Sequence, residues 1–142
     1  MKRVYLISCC KKKGLNECEA RKLYQGVLFK KSLEYTNKMY ADHVFILSAE
    51  YGLLSLDDVV APYDKTLRKM RKADKKQWSL DVIVKLSKYF DLKNDEFVIL
   101  AGKDYREYLV DSLSNCYIPL EGLGIGKQLK KLNEAIEYGS SM

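Results

Sequence analysis

Val4-Tyr5-Leu6-Ile7-Ser8-Cys9-Cys10-Lys11-Lys12-Lys13-Gly14 begins as an unbroken apolar run and ends as a basic turn closed by glycine. The same change of character ends Val44-Phe45-Ile46-Leu47-Ser48, and Glu96-Phe97-Val98-Ile99-Leu100-Ala101 before Gly102-Lys103. Continuous apolar runs, unlike alternating ones, fit strands covered on both faces, as in a parallel sheet. Helical patterns fill the intervals. Leu23, Val27, Leu28, Leu33 and Met39, with Tyr24, Tyr35 and Tyr40, predict one helix over residues 20–40 that tolerates Gly26 near its start. Residues 49–66, with Gly52 and Pro62, predict a long, mostly non-helical connection. Asp74 is a candidate N-cap for a helix over residues 75–89, with Trp78, Val82, Leu86 and Tyr89 on one face and Ile83 alongside. A helix over residues 104–113 and a short fourth strand over residues 116–120 follow. Gly122, Gly124 and Gly126 lead to a last helix over residues 127–137, and residues 139–142 are expected to fray. Strands alternating with helices predict a single α/β domain over residues 1–142, a doubly wound four-stranded parallel sheet with helices on both faces.

The bulk composition excludes several classes. With 142 residues, 47% hydrophobic and 31% charged, the chain has the make-up of one globular domain rather than a disordered or fibrous one. No apolar run reaches membrane-spanning length, and residues 4–7 are too short for a signal-peptide core, so a cytoplasmic protein without a membrane partner is expected. Cys9, Cys10, Cys18 and Cys116 match no zinc spacing, and His43 is the sole histidine, so neither a metal nor an organic cofactor is called for. The net charge of +6 is concentrated. Lys65, Arg68, Lys69, Arg71, Lys72, Lys75 and Lys76 face one acid, Asp74, and that segment alone carries the whole excess. Such a cluster beside a cleft suits a polyanion; a solvated loop and helix start accounts for it equally well.

In doubly wound sheets, ligands bind beyond the carboxyl ends of the strands, near the switch in strand order. That principle gathers four loops at one rim: residues 8–13, 48–66, 102–105 and 119–126. The first offers Ser8, Cys9, Lys11 and Lys13, either as a phosphate or carboxylate cradle or as a charged surface turn. The second offers Ser48, Glu50, Tyr51, Gly52, Pro62, Tyr63, Asp64 and Thr66, and its length marks it as functional. Tyr51 and Tyr63 either stack on a base or anchor the loop from within. Gly102 and Tyr105 complete the rim, with Asp104 as a helix N-cap. Gly122-Leu123-Gly124-Ile125-Gly126-Lys127-Gln128 imitates a phosphate loop but lacks the hydroxyl residue after lysine and the correct first spacing, so the glycines are assigned to a tight turn and close helix packing. His43 starts a strand at the opposite rim, which removes a histidine-based triad.

The remaining inventory narrows the chemistry. Asp64 or Glu50 can serve as a catalytic carboxylate, and Cys9 or Cys10 as a nucleophile with its pKa lowered by Lys11, Lys12 and Lys13. A base pocket, one carboxylate and a water suffice to split an N-glycosidic bond. The expected partner is nucleic acid, DNA in preference to RNA, or a free nucleotide. The segment from Lys65 to Lys76 would hold the backbone phosphates.

Ser48-x-x-Tyr51-Gly52-Leu53-Leu54 followed by Pro62-Tyr63 resembles the YaaA peroxide-stress family. Across nearly the whole chain, the sequence is more similar still to small bacterial and phage proteins described as YaaA-like. The shared positions are Ser8-Cys9-x-Lys11-x-Lys13, Leu23-Tyr24, Leu28-Phe29, Pro62-Tyr63-x-x-Thr66-Leu67, Trp78 and Ala101-Gly102-x-x-Tyr105. The resemblance implies a DNA-associated protein linked to oxidative stress. More distantly, Cys9-Cys10-Lys11-Lys12-Lys13 and Ser48-x-x-x-Gly52-Leu53 resemble a domain of archaeosine synthase, which implies a uracil-DNA-glycosylase-like fold. Three functions follow as expectations. The first is nucleobase or nucleotide recognition with N-glycosidic cleavage or exchange. The second is non-catalytic DNA binding in the peroxide response, and the third is a small-molecule enzyme with a cysteine nucleophile. The oligomeric state is left open.

Overall fold

The computed structural model describes all 142 residues. The chain forms β1 (Arg3–Ser8), β2 (Cys18–Glu19), α1 (Ala20–Leu23), α2 (Val27–Lys38), β3 (His43–Ser48), β4 (Gly52–Ser55) and β5 (Val59–Val60). After these come α3 (Lys72–Ser87), β6 (Glu96–Leu100), α4 (Lys103–Arg106), β7 (Cys116–Tyr117) and α5 (Ile125–Tyr138). Two single 3-10 turns, Leu67–Lys69 and Val110–Ser112, lie between them.

The main sheet has the order β4-β3-β1-β6-β7. β1 is the central strand. It pairs in parallel with β3, Val4 against His43, and with β6, Val4 against Phe97. Val4, Tyr5, Leu6 and Ile7 are all buried, as a strand covered on both faces requires. Tyr5 meets Tyr35 of α2 edge-on, and α2 packs on α5. On the other side, Phe97 and Phe45 pack against Phe90, beyond the end of α3, and Trp78, Val82, Ile83 and Leu86 of α3 are buried. An α/β fold with a mostly parallel sheet between helices is therefore present. Five strands form the sheet instead of four, because residues 49–66 are less irregular than expected. Gly52, at φ +72°, turns the chain straight back into β4, which runs antiparallel to β3, and β5 then pairs with β2 in a separate two-stranded sheet.

Other departures have local causes. The single helix expected over residues 20–40 is broken in two. Tyr24 is extended and pairs with Lys13, and the Gln25 amide donates to the Lys12 carbonyl. Gly26 then takes the N-cap of α2, where a Cβ would lie 2.9 Å from the Cys10 sulfur. Asp74 sits in the first turn of α3, with Arg71 at the N-cap, and its carboxylate accepts from the Arg71 guanidinium at 3.3 Å. Tyr89 is exposed, leaving Trp78, Val82, Ile83 and Leu86 as the buried face. The helix expected over residues 104–113 shrinks to one turn capped by Gly102, and the fourth strand shrinks to Cys116–Tyr117. The tail is anchored rather than frayed: Gly139 closes α5 at φ +60°, the Met142 amide donates to the Tyr35 hydroxyl, and the Tyr117 hydroxyl donates to the Met142 carbonyl. No helix is long and apolar enough to cross a membrane.

Candidate nucleotide-binding cleft

From β1 the chain passes to β3 on one side and later crosses to β6 on the other, so the strand order switches between β1 and β6. Beyond their carboxyl ends the chain diverges into Ser8-Cys9-Cys10 and Ala101-Gly102. The Cys9 amide still donates to the Leu47 carbonyl at 2.9 Å, which holds this segment against the end of β3. A cavity of about 480 Å³ opens there. Lys11, Lys13, Lys65, Arg68 and Lys69 line it, against the carboxylates of Asp64 and Asp104. Asp104 is already matched by the Lys75 ammonium at 2.8 Å. The uncommitted charge facing the cavity is strongly positive.

Under the cationic rim lies a chain of hydroxyls. The Tyr63 hydroxyl sits 2.9 Å from Ser48 Oγ and 2.8 Å from the Tyr24 hydroxyl. Ser48 Oγ also accepts from the Tyr51 amide at 3.0 Å, and its carbonyl accepts from the Trp78 indole at 2.9 Å. The Lys13 ammonium lies 4.3 Å from the centre of the Tyr63 ring, which fixes that lysine against an aromatic face. Cys9 Sγ donates to the Tyr105 hydroxyl at 3.4 Å. Burial pushes the Tyr24 phenol up to about 12. Burial, with the Cys9 sulfur close by, raises Tyr63 and Tyr105 as well. These phenols keep their protons near neutral pH, so they act as hydrogen-bond donors and not as bases. Burial also raises the Cys10 thiol, which accepts from the Gly26 amide and donates to the Lys12 carbonyl.

The rim brings together Ser8, Cys9, Lys11, Lys13, Asp64, Lys65, Thr66, Arg68, Lys69, Gly102 and Tyr105. Other residues singled out in the sequence lie elsewhere. Ser48 and Tyr63 do not line the cavity and are bonded to each other. Glu50 is exposed on the β3–β4 turn that Gly52 makes possible. The Tyr51 hydroxyl is used on backbone, donating to the Ala61 carbonyl at 3.0 Å and accepting from the Ala61 amide at 3.3 Å beside Pro62. Arg71 and Lys72 are exposed at the start of α3, Lys75 is held by Asp104, and the Lys76 ammonium lies over the Tyr108 ring.

A second cavity of about 280 Å³ adjoins the first on the α2 side. Its walls include Leu28, Phe29 and Ser32 from α2, Leu120, Leu123 and Gln128 from the approach to α5, and the Arg106–Glu121 ion pair. Sequence reading put Leu120, Glu121 and Leu123 in the rim loop over residues 119–126 without naming them as binding residues, and assigned Leu28, Phe29, Ser32, Arg106 and Gln128 to helices. One signal was available: Leu28-Phe29 directly follows the break at Gly26, and a first helical turn at that place faces the sheet's carboxyl rim.

No curated protein matches the chain. A model described as a family of unknown function (DUF6884) matches residues 4–134, and the chain belongs to that family.

Proposed function

We propose that this DUF6884 member recognises phosphate-bearing nucleotides, those of DNA in preference to RNA, at the β1–β6 rim. One observation carries the reading: the cavity at the topological switch is lined by five cations, with Asp64 the carboxylate there that is not held by a lysine. Cations around a concave site at that place favour an anionic ligand, and the neutral phenol of Tyr105 adds a donor. A uracil-DNA-glycosylase-like relationship, with β4 as an added edge strand, belongs to the same proposal. So does N-glycosidic hydrolysis, in which Asp64 steadies positive charge developing on the sugar. The oxygen of a water bonds to the anomeric carbon, the carbon–nitrogen bond breaks with its electron pair leaving on the base, and the water's proton ends on that nitrogen.

The test is binding against salt with plain and base-modified single-stranded and duplex DNA, scoring base release in the same tubes. Binding that weakens steeply with salt is expected, and Lys65→Glu, Arg68→Glu and Lys69→Glu together flatten the slope by about 0.9 for each phosphate no longer neutralised. An unchanged slope would remove the cationic rim from the interface. Binding without release would leave a non-catalytic DNA-binding protein. A cysteine-nucleophile enzyme is favoured by one feature, Cys9 Sγ on the Tyr105 hydroxyl beside the cavity. Activity on small molecules that is lost in Cys9→Ser, with no DNA affinity, would select that reading.

A further inference from the structure

The two cavities are neighbours. Ser8, Cys9, Cys10 and Gly102 border both, so the end of β1 and the start of α4 form a waist with an outer lobe on one side and an inner lobe on the other. The lobes differ in kind. Lys65, Arg68 and Lys69 give the outer lobe its charge, whereas Leu28, Phe29, Leu120 and Leu123 give the inner lobe apolar walls. Ser32 points to an occupant of the inner lobe. It is 2% exposed and lines the lobe, and its hydroxyl makes no hydrogen bond to another group of the protein. Arg21 Nε is the one sealed side-chain atom without a partner, so the Ser32 hydroxyl is not an orphan of that kind; on the lobe's wall it is a donor and acceptor available to a ligand. Gln128 offers a second group: its Nε2 is committed to the Leu123 carbonyl at 2.7 Å, which leaves its amide oxygen as an acceptor.

We propose that the cleft takes a nucleoside phosphate lying across the waist, with the phosphate in the outer lobe and the base in the inner lobe against Phe29 and Ser32. This rests on the nucleotide reading above and adds where each half of the ligand lies. Apolar walls with a few convergent polar groups are what a planar heterocycle requires, and a cationic lobe beside them supplies the phosphate site. Gly102 fits the passage between them. A Cβ there would meet no atom within 4 Å, and its φ of −71° and ψ of 171° are open to any residue. A larger residue is therefore accepted there without backbone strain or clash, on a position that borders both cavities.

The experiment is calorimetric titration of the full chain with deoxynucleoside 5′-monophosphates, the matching nucleosides, 2-deoxyribose 5-phosphate and inorganic phosphate. A short single-stranded oligonucleotide and its abasic counterpart complete the set. At least one monophosphate, or the oligonucleotide, is expected to bind about tenfold or more tighter than its nucleoside and its base-free counterpart, since each half alone engages only one lobe. Tighter binding of the monophosphate identifies a free nucleotide as the ligand, and tighter binding of the oligonucleotide a base presented by a strand. Gly102→Val, at the waist, is expected to weaken nucleotide binding at least tenfold. Ser32→Ala is expected to change the ranking of the bases without changing inorganic phosphate binding. Sugar phosphate bound as tightly as every nucleotide, or nucleotide affinity untouched in both variants, overturns the two-lobe assignment and leaves the anion site standing. Absence of binding by every probe overturns the nucleotide reading and this one with it.

Discussion

Tyr63 shows how far a residue can be read before its neighbours are known. Its place beside Pro62 in a long loop allowed either base stacking or anchoring, and the side chain is half-buried with its hydroxyl between Ser48 and Tyr24. Tyr63→Phe keeps the ring under Lys13 but deprives both neighbouring hydroxyls of a partner. A loss of about 1–3 kcal/mol in urea-denaturation stability is expected, and a change near zero would mean that water replaces the phenol freely. Tyr51 was legible as a loop residue and not in its partner, because its hydroxyl binds the backbone of Ala61, and backbone partners leave no mark in side-chain patterns. Ser8, Cys9, Lys11 and Lys13 were legible because an apolar run that turns polar can only be the end of a buried strand.

At the level of elements, the strands were read more surely than the helices. The cores of β1, β3 and β6 follow from uninterrupted apolar runs. The two-residue β2, β5 and β7 are too short for any period to register, and β4 was hidden because Gly52-Leu53-Leu54-Ser55 has too few positions to alternate visibly. The break between α1 and α2 was invisible for a different reason. Residues 20–40 keep helical spacing throughout, and what interrupts them is tertiary, the close approach of Cys10 to Gly26. Gly26→Ala is therefore expected to cost about 1–3 kcal/mol through overpacking. Adding Cys10→Gly removes the sulfur and the Cβ that the new methyl would meet, so it is expected to restore part of the loss. Equal and additive losses in the two single variants would show that this approach is not what breaks the helix.

Across the whole molecule, the sheet's amino end is tied by one buried carboxylate. Asp95 accepts from the Lys2 and Asp91 amides, each at 2.8 Å, and these bonds hold its pKa below the ordinary carboxylate value. Such a group stabilises the fold above its unfolded pKa of about 3.9, and the contribution disappears as pH falls through the lower folded value. Asp95→Asn is expected to lower the denaturation midpoint at neutral pH, with the gap to the parent protein narrowing below about pH 4. A gap of constant size from neutral to acid pH would contradict this account. The opposite rim of the same sheet carries the cleft, so binding variants and Asp95 variants are expected to be additive. The side edge of the sheet has its own guard. β4 is the outermost strand there, and the Lys85 ammonium donates to its Leu53 carbonyl at 2.7 Å. An exposed outer strand is a template on which a neighbouring molecule can lay its own backbone, and a positive side chain seated on one of its acceptors must first be displaced. Lys85→Ala opens that acceptor, so light scattering on concentrated solutions is expected to show it polymerising sooner than the parent chain. A family that kept such a strand unguarded would yield fibres instead of monodisperse protein.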